Sequence, residues 1–224
     1  MTTQKDLQVQ KDSGESESKH VSNVGLRLKS TDRITISGLP GQGKTEFAKF
    51  LASLAMPRVE IWDPLDQYVG FPDEHRYIPK HDNIDEFEAR ATYFCSISNW
   101  TWIVEESEKY IRQGMPMPDN SYNLFNRGRN WGIGIAAVTR RIQNLDKNFF
   151  DLCQHAFFFK CGLKSREYIG SMLGKEVGQM VNNLPKFHFL HFDLEEETHQ
   201  VMTLDLVDLS DQPARILSAP PLDS

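Results

Sequence analysis

Hydrophobic and polar positions along this chain switch repeatedly between two periods. Arg33–Ser37 carries Ile34 and Ile36 in a short β-branched run, which predicts a strand. From Lys44 onward the period changes, and Phe47, Ala48, Phe50, Leu51 and Leu54 fall at helical spacing. A strand is expected over Arg58–Asp63, closed by Pro64, and a short extended piece over Arg76–Ile78. Ile84, Phe87, Ala91 and Phe94 keep the helical period, with Asp82 or Asn83 placed to cap them. Trp100–Val104 reads as a buried strand ending in Glu105-Glu106, and the polar Ser107–Gln113 is expected to be helical. A further helix is expected within Ser121–Trp131, ahead of Gly132–Thr139, a small-residue and β-branched run typical of a central parallel strand. Asp146–His155 predicts a helix and Ala156–Cys161 a strand, followed by helices over Ser165–Gly174 and Glu176–Asn182. Lys186–Asp193 and Gln200–Val207, separated by the acidic turn Glu195–Glu197, predict an antiparallel hairpin on one edge.

Strands alternating with helices imply an α/β fold with a mostly parallel central sheet covered on both faces. Residues 1–30 are rich in Ser, Lys, Glu, Gln and Asp and poor in large apolar side chains, so most of this segment is expected to be disordered, with Val24–Leu28 available as a short edge strand. The folded domain is expected over residues 31–209, and residues 210–224 form a Pro- and Ser-containing tail.

Composition changes this picture little. With 224 residues, 39% hydrophobic and 25% charged, the chain reads as one globular domain with tails. Its net charge of -6 excludes a wholesale basic coat but not a local basic surface. No apolar run approaches the roughly 18 residues of a membrane span, and the polar N-terminus is unlike a signal peptide. Cys95, Cys153 and Cys161 have no CxxC spacing, so buried free thiols in a reducing, non-secreted setting are expected.

The chemistry concentrates after Ser37. Gly38-Leu39-Pro40-Gly41-Gln42-Gly43-Lys44-Thr45 fits G-x-x-x-x-G-K-[ST] between a strand and a helix, the context this motif requires. Its glycines let successive N–H groups turn inward to cradle phosphate, and the helix adds its positive end. Lys44 is expected on the β/γ-phosphates of ATP and the Thr45 hydroxyl in a Mg2+ shell. The fold class then sharpens to a P-loop NTPase, a three-layer α/β/α sandwich with the antiparallel hairpin at its C-terminal edge.

Ligands in such sheets sit outside the carboxyl ends of the strands. Glu105-Glu106 ends an apolar strand there, in the form of a Walker B element. Glu105 is expected to hold Mg2+ through water, with a methylene more than the usual Asp, and Glu106 is the candidate base. The bland alternative is an acidic helix start favoured by the helix dipole. Arg127, Arg129, Arg140 and Arg141 are candidates for stabilising phosphoryl charge, the first two as a finger reaching into a neighbouring subunit. The alternative is ordinary basic surface. Asn126–Lys175 holds nine Lys/Arg against three Asp/Glu, a local +6 that suits a DNA backbone or an acidic subunit face. Asp63 reads as a turn cap before Pro64. Trp100, Trp102 and Trp131 read as packing, and His188 and His191 have no third partner at metal-ligand spacing.

The order GLPGQGKT, DPLDQY, WTWIVEE, FNRGRNWGIGIAAVTRR and a final strand pair resembles HerA/FtsK-type ATPases. It is most similar within them to the small genome-packaging ATPases of membrane-containing icosahedral double-stranded DNA viruses. The resemblance covers about residues 30–193, and the R-x-R-N-x-G-x-G-hydrophobic-T-x-R run is its discriminating part. It implies a homo-oligomeric ring, commonly a hexamer, coupling ATP hydrolysis to translocation of duplex DNA into a preformed capsid. Capsid or membrane vertex proteins are the implied partners, and host cytoplasm or virion the implied location. The family usually has Gln after the strand-ending Thr as a γ-phosphate sensor. Here Arg140 stands there, which leaves Arg140 and Arg141 open to contact phosphate or DNA. Two other readings stay open: a nucleotide-gated interaction module without steady hydrolysis, and a cellular DNA pump.

Overall fold

The computed structural model describes residue 26 and residues 28–204. The predicted period changes become β1 (Arg33–Ser37), α1 (Lys44–Ala55), β2 (Val59–Trp62), β3 (Arg76–Tyr77), α2 (Ile84–Phe94) and β4 (Trp100–Val104). These are followed by α3 (Asp119–Arg127), β5 (Ile133–Thr139), α4 (Lys147–Asp151), β6 (His155–Phe159), α5 (Leu163–Leu173) and α6 (Lys175–Asn182). The antiparallel pair β7 (His188–Asp193) and β8 (Thr198–Thr203) closes the chain.

All eight strands form one sheet in the order β3-β2-β4-β5-β1-β6-β7-β8. It is parallel from β3 through β6, and β7 and β8 add the expected antiparallel edge. Because side chains alternate across a strand, each central strand feeds both faces. On one face Ile36, Val138, Phe157 and Phe159 pack under α1 through Phe47, Ala48 and Leu51. On the other, Trp62, Trp102, Ile135 and Phe158 meet Phe87, Phe125, Phe149 and Ile169 from the remaining helices. The three-layer α/β/α prediction is met, with Trp102 fully buried in the larger core. The cysteines are free, and burial pushes the Cys161 thiol up to about 12. No helix among the described residues is long and apolar enough to cross a membrane.

Several boundaries depart from the sequence reading. Ser107–Gln113 is not an α-helix but a single 3-10 turn over Ser107–Lys109. Glu106 enters it with φ 50, and the Ser107 hydroxyl donates to the Val138 carbonyl at 2.9 Å instead of capping a helix. Beyond the turn, Gln113 N–H reaches Asn144 and Asp146 N–H reaches Ile111, so tertiary bonds replace helical ones. The helix expected over Asp146–His155 is confined to Lys147–Asp151, because His155 is taken into β6 and pairs with Asp193. The expected strands over Val24–Leu28 and through Val207, and both tails, fall largely outside the described residues.

His155 and His191 are both buried at the β6–β7 contact. His191 Nε2 lies 3.1 Å from His155 Nδ1, and His155 Nε2 lies 3.4 Å from Asp32. Burial, with the neighbouring His155, lowers His191 to about 4 despite Asp193 nearby. As the pH falls below an ordinary histidine value, the unfolded chain takes up this proton first and the folded chain resists it. The stabilising contribution is therefore complete above about pH 6.5 and is lost as the pH falls toward 4, a swing of about 3 kcal/mol. Urea unfolding across pH 4–7 is expected to show this slope in the wild type and a flatter one in His191→Phe.

Candidate active site

The loop from Gly38 to Gly43 leaves β1 and delivers Lys44 and Thr45 to the first turn of α1. Gly41 and Gly43 have φ of 74 and 112, the left-handed region that side chains avoid. At Gly43 a Cβ would also sit 2.7 Å from the Phe187 ring, so this position admits no side chain. Among the described residues the loop's backbone is anchored toward β6 and β7: Leu39 N–H donates to the Lys160 carbonyl at 2.8 Å, and Phe187 N–H to the Gln42 carbonyl at 3.1 Å. Lys44 is buried and donates to the Leu39 carbonyl at 3.1 Å. Burial lowers its pKa, Glu105 works against that shift, and Arg140 adds to it.

Across the cleft, Glu105 directly follows β4 and is only 8% exposed. Burial raises its pKa, while the Tyr68 hydroxyl and Lys44 hold it down. Tyr68 is fully buried and donates to Glu105 Oε1 at 2.7 Å. Burial and this carboxylate raise the phenol well above its ordinary value, which keeps it a neutral donor. Thr45 Oγ1 lies 3.5 Å from both Glu105 Oε1 and Gln67 Oε1. Gln67 and Tyr68 are delivered by Asp63, which accepts their backbone N–H groups at 2.9 and 3.1 Å and pairs with Arg76 at 3.0 Å. Asp63 caps its turn, as expected, and the turn carries two residues into the site.

The left-handed backbone at Glu106 turns its side chain beside β5, where it forms an ion pair with Arg140. Arg140 is further held through its N–H to Glu108 Oε1 at 3.0 Å, and Arg141 N–H to Thr139 Oγ1 at 3.1 Å. Gly41, Lys44, Thr45, Glu105, Glu106 and Arg140 thus line one cleft of about 120 Å3 at the carboxyl ends of β1, β4 and β5. A crevice of about 20 Å3 at the opposite end of the sheet is mainly apolar and too small for a nucleotide. The cleft's donor set of hydroxyl, carboxylate and amide oxygens on one wall is that of a hard, partly hydrated cation such as Mg2+.

Arg127 and Arg129 are not part of this cleft. Both are exposed before β5, at the amino end of the parallel strands, and Arg129 lies 3.7 Å from Glu195 in the β7–β8 turn. β5 is seven residues long, which separates them from Arg140 by about 20 Å of extended chain. Arg141 is exposed next to the cleft. Sequence reasoning did not assign roles to Tyr68, Gln67 or Glu108. The only signal for the first two was the DPLDQY segment, whose turn-capping Asp63 orders both.

A phosphate loop on the strand flanked by both β5 and β6, with paired carboxylates at the end of β4, defines the P-loop NTPase fold. Among solved structures the chain is similar to the genome packaging NTPase B204 from Sulfolobus turreted icosahedral virus 2 in complex with ATP-gammaS. The TM-score is 0.66 and the identity 15%, over 80% of this chain and 100% of that one. It is similar also to B204, the DNA-packaging ATPase from Sulfolobus turreted icosahedral virus, with TM-score 0.66 and 14% identity over 80% and 100% of the two chains. A structure described as an ATPase aligns with TM-score 0.52 and 10% identity, over 79% and 80%. No family model and no curated protein matches the sequence. The fold is therefore that of the B204 packaging NTPases.

Replacing Tyr68 by Phe removes the hydroxyl that Glu105 accepts and leaves a buried carboxylate short of a donor. The expected cost is about 1–3 kcal/mol of folding stability. Paired urea titrations of wild type and Tyr68→Phe at neutral pH measure it.

Proposed function

We propose that this chain is an ATPase that drives double-stranded DNA into a preformed viral capsid, working as a homo-oligomeric ring. The observation that carries the reading is the convergence of Lys44, Thr45, Glu105, Glu106 and Arg140 on one cleft at the carboxyl ends of three neighbouring strands. Support for packaging as the task comes from the shared fold with B204, which is described as a genome packaging NTPase and a DNA-packaging ATPase.

In this reading the N–H groups of Gly38–Thr45 hold the β- and γ-phosphates, and Lys44 exchanges the Leu39 carbonyl for phosphate oxygens. Thr45 and Glu105, the latter through water, hold Mg2+, which supplies charge neutralisation at the phosphates. Glu106 orients the attacking water and accepts its proton. It is engaged with Arg140 until a γ-phosphate draws the guanidinium away, which couples the base to nucleotide occupancy. Arg140 then stabilises charge on the transferring phosphoryl group, and Arg141 stands beside it at the cleft rim.

Arg127 and Arg129 cannot serve their own cleft from the far end of the sheet. Their exposure suits a neighbouring subunit of the ring, a hexamer in our reading, or the DNA backbone. Capsid or membrane vertex proteins are the further partners proposed, and host cytoplasm or virion the proposed location.

Steady-state turnover with and without duplex DNA, beside a mass measurement of the nucleotide-bound assembly, tests the proposal. DNA is expected to stimulate turnover, and the stimulation to fall steeply with salt. Lys44→Ala is expected to lose both ATP binding and turnover. Glu106→Gln is expected to retain ATP binding while turnover drops by about 100-fold or more. Unchanged turnover in Glu106→Gln removes Glu106 as the base, and a monomer indifferent to DNA removes the motor.

A further inference from the structure

We propose that Phe187 is the platform on which the nucleotide base stacks, and that the site accordingly takes purine nucleoside triphosphates. This rests on the nucleotide-binding reading above and adds the part of the site that the phosphate-facing residues leave open.

The direction of the nucleotide follows from the sheet order. The groups assigned to its terminal phosphate, Glu105 and Glu106 after β4 and Arg140 after β5, all lie on one side of β1. A triphosphate laid along the loop with its γ end toward them must carry ribose and base to the other side, over β6 and β7. Phe159 and Lys160 at the end of β6 also touch the loop, but Phe159 is fully buried; the half-buried aromatic there is Phe187, in the turn entering β7, with its ring against Gly43.

Phe187 occupies a backbone position ill suited to its side chain. His188 N–H donates to the Pro185 carbonyl at 3.2 Å, closing a four-residue turn of which Phe187 is the third residue. Its φ is 62, where a turn ordinarily selects glycine or asparagine. A bulky residue persists in this region only when its surroundings hold it there, and such positions cluster at ligand clamps. The clamp is visible: Phe187 N–H donates to the Gln42 carbonyl at 3.1 Å, and its carbonyl accepts from Leu204 N–H at 2.7 Å. The phosphate loop itself therefore fixes the ring's place. Glycine would satisfy the same backbone bonds without strain, so those bonds alone do not call for an aromatic ring here.

One face of that ring is reachable. The Lys186 ammonium lies over it, 4.8 Å from the centroid, and Lys186 is itself exposed. A flexible, solvated side chain over an aromatic face is readily displaced by a flat π system. A purine takes that face, and the displaced ammonium remains beside the nucleotide's negative charge. Stacking reads no hydrogen-bond pattern, so it favours the larger ring system of ATP and GTP over CTP and UTP.

Equilibrium binding of MgATP, MgCTP and magnesium tripolyphosphate to wild type, Phe187→Ala and Phe187→Trp tests the inference. The wild type is expected to prefer ATP to CTP. Phe187→Ala is expected to bind ATP about 10-fold more weakly or worse, lose that preference and hold tripolyphosphate unchanged. Phe187→Trp is expected to restore ATP affinity, with its fluorescence quenched by ATP and not by tripolyphosphate. Equal losses for ATP and tripolyphosphate in Phe187→Ala would make the ring a wall of the phosphate loop and overturn the proposal, as would undiminished ATP binding. A wild type that binds neither ATP nor tripolyphosphate removes the nucleotide reading itself, whereas one that binds both while Phe187→Ala matches it removes only the base platform.

Discussion

A carboxylate buried at the end of a central strand is the constraint around which the rest of this site is arranged. Glu105 is nearly withdrawn from water, and an ionised carboxylate there needs compensation from every side. Lys44 supplies charge and Tyr68 supplies a hydroxyl, each from a different element. Tyr68 in turn is placed by Asp63, and Asp63, fully buried, is balanced by Arg76 from β3. A chain of paired groups thus runs from the edge strand to the phosphate loop. Its effect is to hold an acid beside the Thr45 hydroxyl at the end of the phosphate loop.

The sheet separates two kinds of work by its two ends. Parallel strands direct all their carboxyl ends one way, so β1, β4 and β5 deliver the loop, the acids and Arg140 to a common edge without any long connection. At the amino ends lie the buried His155–His191 contact with Asp32 and the exposed Arg127 and Arg129. Nothing in the strand pattern lets a residue act at both ends. Arg127 and Arg129 belong to the same stretch of sequence as Arg140, yet the intervening strand carries them to opposite surfaces.

That separation also shows what sequence can and cannot convey. Strands with β-branched or aromatic alternation, such as β1, β4 and β5, were legible because burial on both faces leaves few polar choices. The phosphate loop was legible because its glycines answer a local backbone requirement. Ser107–Gln113 misled because its polarity suits a helix surface, while its backbone bonds are spent on the loop around Asn144. Tyr68 and Phe187 were missed for a related reason. Their partners, Glu105 and Gly43, are far away in sequence, and a buried hydroxyl or a strained turn leaves no periodic trace.

Arg140 stands where a polar amide would be a passive sensor, and the difference is physical. An amide can only report on a γ-phosphate by hydrogen bonding, whereas a guanidinium must always be neutralised by something. Its partner is Glu106, with Glu108 holding the backbone behind it. Phosphate oxygens carry more charge than one carboxylate and present it in the geometry a guanidinium fork prefers. In the function proposed above, an exchange of partners would free the Glu106 carboxylate at the moment the substrate is in place. In that proposal the ion pair that neutralises Arg140 also restrains Glu106, so one contact sets both groups.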